Sequence, residues 1–384
     1  MSYKQLLIIA TAAVLTLTTS YATAAIDITA PIIQLRKSCS EAGNVLNNCF
    51  SDLNSMGSWI WNTRKPSGSA PLLVEIGPGT FNGNYSCVNS GYVTLRGSGP
   101  SQTKIMGGWG FVTSNNCTQL NFEDLTLEGI NNGAFTPVIW SGGGTSRWSN
   151  VDMITYGYGW VEQNCGVAPG QHYWLGSRIL AYGSTNSLRN YVASCDVTWF
   201  IGSEITSTFD APSSAATLNV LFATGNSEKH GEIHVYGSVI RALSRDNVFT
   251  RPASAGEGFS PIVATGNGEI HIHGSAIDAI SISSNQVVVI SAESSGMVHA
   301  NTASYNLKTG AGGSITRVFG HVHAPYSWQP HAEPPFTNDG VSFTSQEGAD
   351  TAVVTNTVDG FPHPIIYTTK CTSKWFDIVT KTCR

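Results

Sequence analysis

Gly231-Glu-Ile-His234, Gly268-Glu-Ile-His271, Gly296-Met-Val-His299 and Gly320-His-Val-His323 align from a glycine without gaps. Their starts lie 37, 28 and 24 residues apart, an irregular repeat of one supersecondary unit per turn. Within the units apolar and polar residues alternate: Ile233 and Val235 against Glu232, His234 and Tyr236, then Ile270 and Ile272 against Glu269, His271 and His273. A period of two predicts strands with one buried face. A strand recurring once per coil, with loops absorbing the differences in length, predicts an all-β parallel β-helix. In that register His234, His271, His299 and His323 form one outward column with a step of about 4.8 Å.

The coil pattern extends in both directions. Gly176-Ser-Arg-Ile179, Gly202-Ser-Glu-Ile205, Gly237-Ser-Val-Ile240 and Gly274-Ser-Ala-Ile277 repeat a corner motif. Glycine permits the sharp turn between strands, and stacked serines after it can hydrogen-bond up the solenoid. Upstream, Ser38 and Glu41 form a capping box, and Val45, Leu46, Cys49, Phe50, Leu53, Met56 and Ile60 recur at helical spacing. That pattern predicts a helix over 38–61 covering the open end of the solenoid. Beyond Ser327, Pro330, Pro334 and Pro335 end the strands. The expected organisation is a targeting segment at 1–25, an N-terminal cap with the helix at 26–71 and a β-helix of about ten coils at 72–325. A C-terminal cap with a small disulfide-tied appendage at 326–384 completes it.

Lys4, the apolar run from Leu6 to Leu17 and the small-residue site Ala22-Thr-Ala24 read as an export signal. The expected destination is secreted or periplasmic, and no later stretch is apolar enough for a membrane anchor. Eight cysteines fit an oxidising compartment. Their connectivity is open among 105 pairings; local grouping suggests Cys39–Cys49, Cys87–Cys117, Cys165–Cys195 and Cys371–Cys383. No Cys-x-x-Cys pair supports zinc, and no metal motif names a cofactor. Charged residues make up only 12% of the chain and the net charge is −5, which argues against a nucleic-acid partner.

Residues 72–107 read Leu-Leu-Val-Glu-Ile-Gly-Pro-Gly-Thr-Phe, then Gly91-Tyr-Val-Thr-Leu-Arg-Gly-Ser-Gly-Pro, then Thr103-Lys-Ile. This stretch resembles the pectin-lyase-like right-handed β-helix superfamily, and especially the opening coil of pectinesterases. The resemblance implies a right-handed coil and a polymeric carbohydrate as partner. It brings no catalytic residue with it. The pectinesterase nucleophile segment finds its nearest match in Val197-Thr-Trp-Phe-Ile-Gly202, where Thr198 stands in place of the aspartate. Covalent carboxylate catalysis cannot run from threonine, so methylesterase activity is not expected. The Asn-Thr-Asp and Gly-His-Gly motifs of polygalacturonases are missing, and Arg251-Pro252 is only a fragment of the pectate-lyase arginine motif.

The candidate site is therefore the polar outer face of the last coils. His271, His234, His299, Glu269 and Tyr236 are the candidate catalytic residues, because His with Glu and Tyr can serve as acid and base. Tyr173, Trp199, His273, Asn301 and His323 are the candidate substrate-binding residues, the aromatic rings offering faces on which sugars stack. Repulsion between neighbouring imidazolium charges keeps the column mostly neutral near pH 7. Three readings stay open: a polysaccharide lyase or glycoside hydrolase acting on an extracellular polysaccharide or cell-surface glycan, a metal-binding solenoid, and a non-catalytic surface or adhesion rod whose histidines merely stack.

Overall fold

The computed structural model describes most of residues 32–323 with gaps in the loops, and beyond them only the backbone of short strands between residues 344 and 383. The described chain is a parallel β-helix. In the middle coils each turn runs through three strands, such as Gln171–Leu175, Arg178–Gly183 and Ser187–Ala193. Every strand of the coil pairs in parallel with its counterpart one turn on: Gln171 with Val197, Arg178 with Glu204, Ser187 with Thr217. Parallel crossovers of this kind are right-handed almost without exception. Thr145, Gln171 and Val197 stack in register, which fixes a coil of 26 residues. Val197 then pairs with Glu232, Glu232 with Glu269, Glu269 with Met297 and Val298 with Val322. The unequal spacing of the glycine-started repeats is thus the spacing of real coils.

Alternation decides what fills the interior. Phe122, Trp148, Trp174 and Phe200 stack up the axis with ring centroids 4.2, 4.6 and 6.0 Å apart. Trp140, Trp160 and Tyr191 form a second stack at 5.5 and 5.4 Å. Further along, Ile233, Val235, Ile270, Ile272 and Val298 take over, all fully buried. Each such side chain contributes about 1.5–3 kcal/mol by leaving water.

The corner between the first two strands of a coil holds the register. Gly176, Gly202, Gly237 and Gly274 sit there at φ +55°, +58°, +53° and +56°. Two earlier corners, invisible to a search for glycine, use Asp124 and Asn150, both at φ 52°, residues that tolerate the left-handed region. Asn150 Nδ2 donates to Asp124 Oδ1 at 2.7 Å. The expected serine ladder follows the glycines. The backbone N–H of Ser177, Ser203 and Ser238 donates to the hydroxyl of the serine one coil on, at 3.3, 3.0 and 3.2 Å. The hydroxyls in turn donate to carbonyls such as Trp148, Trp174 and Phe200 of the coil before.

At the N-terminal end the helix is shorter than expected. Ile32–Leu35 and Cys49–Phe50 are strands, and the helix runs Leu53–Trp59 with a wider turn over Ile60–Arg64. Its cap is Asp52, which accepts from Ser55 N at 2.7 Å, rather than Ser38. Cys49 and Phe50 fit helical spacing, but pairing with Gln34 and Leu35 and the Cys39–Cys49 disulfide claim them for the sheet. Leu53, Met56 and Ile60 are buried against the core. Among the described residues no helix is long and apolar enough to cross a membrane.

Cys39–Cys49 and Cys87–Cys117 are bonded, with Cα separations of 5.7 and 5.6 Å. Cys195 is also in a disulfide. Its expected partner Cys165 lies outside the described residues, as do the side chains of the Cys371–Cys383 pair, the export signal and Glu41.

A Cβ on Gly237 would meet nothing within 4 Å, so its only penalty is the backbone angle. Gly237→Ala should therefore cost about 1–2 kcal/mol and Gly237→Asn clearly less, read as midpoints of denaturant unfolding.

Candidate functional site

Register turns the outer face into ladders of rings. Tyr173 pairs with Trp199, Trp199 with His234, His234 with His271, His271 with His299 and His299 with His323. The first five rings stack in one file, with successive centroids 4.7, 5.6, 4.5 and 4.6 Å apart and planes within 10° of parallel. A second file places Tyr236 on His273 at 4.9 Å. Asn301 is in register with His273 and continues that file at the backbone level. The side chains of Asn301 and His323 lie outside the described residues.

The carboxylates stand two residues before the histidines on the same strands, hence on the same face. Glu232 Oε1 lies 2.6 Å from His234 Nε2 and 3.8 Å from His271 Nε2. Glu269 Oε1 lies 2.9 Å from His271 Nε2 and 3.1 Å from His299 Nε2. A carboxylate only accepts, so the Nε2 atoms within hydrogen-bond reach of it carry the proton in the neutral imidazoles. Glu269 thereby ties two neighbouring coils together. Each of the sets Glu232–His234–His271 and Glu269–His271–His299 holds three donor atoms within 4.8 Å of one another. The histidine column alone offers only pairs; the carboxylates supply the third donor.

Burial, ahead of the neighbouring His234, holds His271 below the ordinary histidine value, although Glu269 pulls the other way. Burial first, then His234 and His299, does the same to His273. Like-charge repulsion is therefore the secondary cause. Within the file, ring faces pack on ring faces. Trp199, His234 and His271 have a ring on each side, so what the file offers to solvent is ring edges, polar groups and carboxylates. Directly below Tyr173 in the same column lie Arg147 and Asn121. Sequence reasoning missed both, since their strands carry no repeat of the glycine-started motif.

It also missed a buried polar network in the coils of the tryptophans. Glu162, His172 and Asp196 are all buried, with ligand atoms within 4.8 Å of one another. Trp148 Nε1 donates to Ser146 Oγ at 2.8 Å, which donates to His172 Nδ1 at 2.8 Å. His172 Nε2 then donates to Asp196 Oδ2 at 3.0 Å, and Asp196 Oδ1 accepts Gly170 N at 2.6 Å. Glu162 Oε2 accepts the backbone N–H groups of Ser194, Cys195 and Asp196. This serine, histidine and aspartate are sealed in the core, where they link neighbouring coils rather than act on a substrate, while Glu162 fixes the turn at 194–196. Period two on Gln171–Leu175 points His172 inward beside Trp174, which is the signal that could have found it. Thr198 is likewise buried, bonded to the Tyr191 hydroxyl at 2.8 Å, and offers no nucleophile.

No family model and no curated protein sequence matches the chain. Solved structures similar to it are pectin methylesterases, the class its opening coil resembles. One, a mutant in complex with a hexasaccharide, is 12% identical, with 64% of this chain and 79% of that one covered and a TM-score of 0.43. The enzyme from carrot is 11% identical over 74% and 84%, TM-score 0.41, and that from rice weevil 13% identical over 77% and 94%, TM-score 0.41. The fold stands on the strand pairing described above.

Burial and then Asp196 push Glu162 from an ordinary 4.5 to about 7, and its Oε1 is buried with no hydrogen-bond partner. Between those two values the folded chain holds a proton that the unfolded chain has lost, so stability falls as pH rises through that window. Glu162 should contribute a fall on the order of 3 kcal/mol, read as the difference between the pH dependence of the protein and that of Glu162→Gln in denaturant unfolding at pH 4.5 and pH 8.

Proposed function

We propose that the protein binds an extended extracellular polysaccharide along its outer ring-and-carboxylate face and cleaves it by acid–base chemistry centred on His271. One observation carries this reading: three successive strands present Glu232, His234 and Tyr236, then Glu269, His271 and His273, then His299, as one half-buried polar band in register. Its repeat of about 4.8 Å per coil is close to the length of one hexose residue. A polymer lying along the solenoid axis would therefore meet equivalent groups at each step. The polar edges suit hydroxyl groups, whereas stacked faces are taken by neighbouring rings.

In this reading His271 is the base. Its Nε2–H is held by Glu269 at 2.9 Å, which fixes the tautomer, leaves Nδ1 as the acceptor and stabilises the imidazolium once a proton arrives. Its lowered proton affinity keeps it neutral at neutral pH. Tyr236, stacked on His273, is the candidate proton donor to the leaving oxygen. His234, His299, Tyr173, Trp199, Asn301 and His323 extend the binding track on either side. The disulfides favour an oxidising compartment, consistent with action outside the cytoplasm.

A second reading, a non-catalytic rod, draws on the same stacking, because like rings above like rings stabilise a solenoid whatever its role. The two separate in one experiment. Purified protein is screened on polysaccharides for unsaturated products, which elimination leaves, and new reducing ends, which hydrolysis leaves. His271→Ala should abolish turnover at a stability cost of about 1 kcal/mol, mainly its hydrogen bond. Ile270→Ala should lose about 2–5 kcal/mol yet keep turnover at a temperature where it is folded. Full activity in His271→Ala would leave the ladder structural.

A further inference from the structure

We propose that Glu269, His271 and His299 form a binding site for one late first-row divalent cation, with Zn2+ the best fit. The inference concerns the same face as the proposed polysaccharide site but stands whether or not that face turns anything over. Three donors of suitable type converge there. His271 Nε2 and His299 Nε2 approach a single carboxylate oxygen, Glu269 Oε1, at 2.9 and 3.1 Å. Imidazole with carboxylate suits zinc and its neighbours rather than calcium or magnesium. A tetrahedral zinc with ligands at 2.0–2.1 Å separates its donor atoms by about 3.3 Å. The two imidazole–carboxylate distances are already within a few tenths of an ångström of that. The ion would take the place of the two Nε2 protons, each moving to Nδ1 of its own ring.

The approach is open. The side chains of His271, His299 and Glu269 are 20%, 35% and 24% exposed, so the outward side is left for water. That is the arrangement of a three-ligand open site rather than a closed structural one. The rings stand within 2° of parallel, and both must tilt toward the carboxylate to aim their lone pairs at one ion.

Two competing sets among the described residues are weaker. Glu232 with His234 and His271 has one approach of 3.8 Å. His234 Nδ1 is buried without a hydrogen-bond partner, so moving the proton there would bury an unsatisfied donor. His271 is common to both outer sets, hence one ion per chain and not two. The third set, Glu162, His172 and Asp196, is sealed in the core with Glu162 Oε2 and both Asp196 oxygens already bonded.

The test uses untagged full-length protein, stripped with a chelator, desalted and titrated with Zn2+ in a calorimeter without any polysaccharide. Saturable binding of one ion per chain is expected. His299→Gln and Glu269→Gln should each weaken it about tenfold or more, while His234→Gln should change it by less than about twofold. Histidine ring resonances of the unmodified protein provide a readout independent of variant folding: Zn2+ should move those of His271 and His299 and spare His234. Absence of saturable binding, two ions per chain, or affinity unchanged in His299→Gln would each overturn the proposal. Because no polysaccharide is present, its failure leaves the proposed function untouched, and the converse holds.

Discussion

Everything on this molecule depends on how the chain turns its first corner in each coil. A residue held in the left-handed region swings the chain from one strand to the next, and at the glycine corners the buried serine after it clips that corner to its neighbour. The backbone N–H of one corner donates to the serine hydroxyl of the next, and that hydroxyl reaches back to a carbonyl of the coil before. A slip of one residue would break this ladder and turn every strand inside out. Register is therefore fixed by buried hydrogen bonds, not by the surface residues that happen to align.

Fixed register has a consequence on each side of the wall. Inside, it places aromatic ring over aromatic ring through four coils and aliphatic over aliphatic thereafter. Outside, it files Tyr173, Trp199 and three histidines into one stack and seats Glu269 between two of them. On the neighbouring outer face Arg178 pairs with Asp152, and Arg241 bridges Glu204 and Asp278 at 3.0 Å each. Arg178 is exposed, so its pair contributes little, whereas the Arg241 bridge is part-buried. The histidine file differs because its rings also stack directly on one another, so its groups act on one another.

The strands Glu232–Tyr236 and Glu269–His273 were readable from sequence because strict alternation and a shared glycine start leave one register. The outer histidine column followed from the same two facts. The strands Gln119–Gly129 and Thr145–Thr155 were harder, since Asp124 and Asn150 replace glycine at their corners and their repeats share no residues. The helix was overextended because Cys49 and Phe50 satisfy helical spacing as well as a strand that pairs far away. The carboxylate bridge needed only the i−2 spacing of Glu269 and His271, which was visible. Its sharing with His299 was not, because that depends on side-chain reach across a coil. Nor could composition show that the rings consume one another's faces, or that His172 and Asp196 would be satisfied inside a wall of tryptophan.

The outer histidines form one stacked, carboxylate-held set rather than independent surface groups. A pH titration of the histidine rings by long-range proton–nitrogen NMR tests this most directly. The neutral rings of His234, His271 and His299 should carry their proton on Nε2, and His271 and His273 should titrate below the ordinary histidine value of 6.5. His271 should also titrate differently once His299 is replaced. A His271 that titrates at or above 6.5, unchanged by loss of either neighbour, would contradict this.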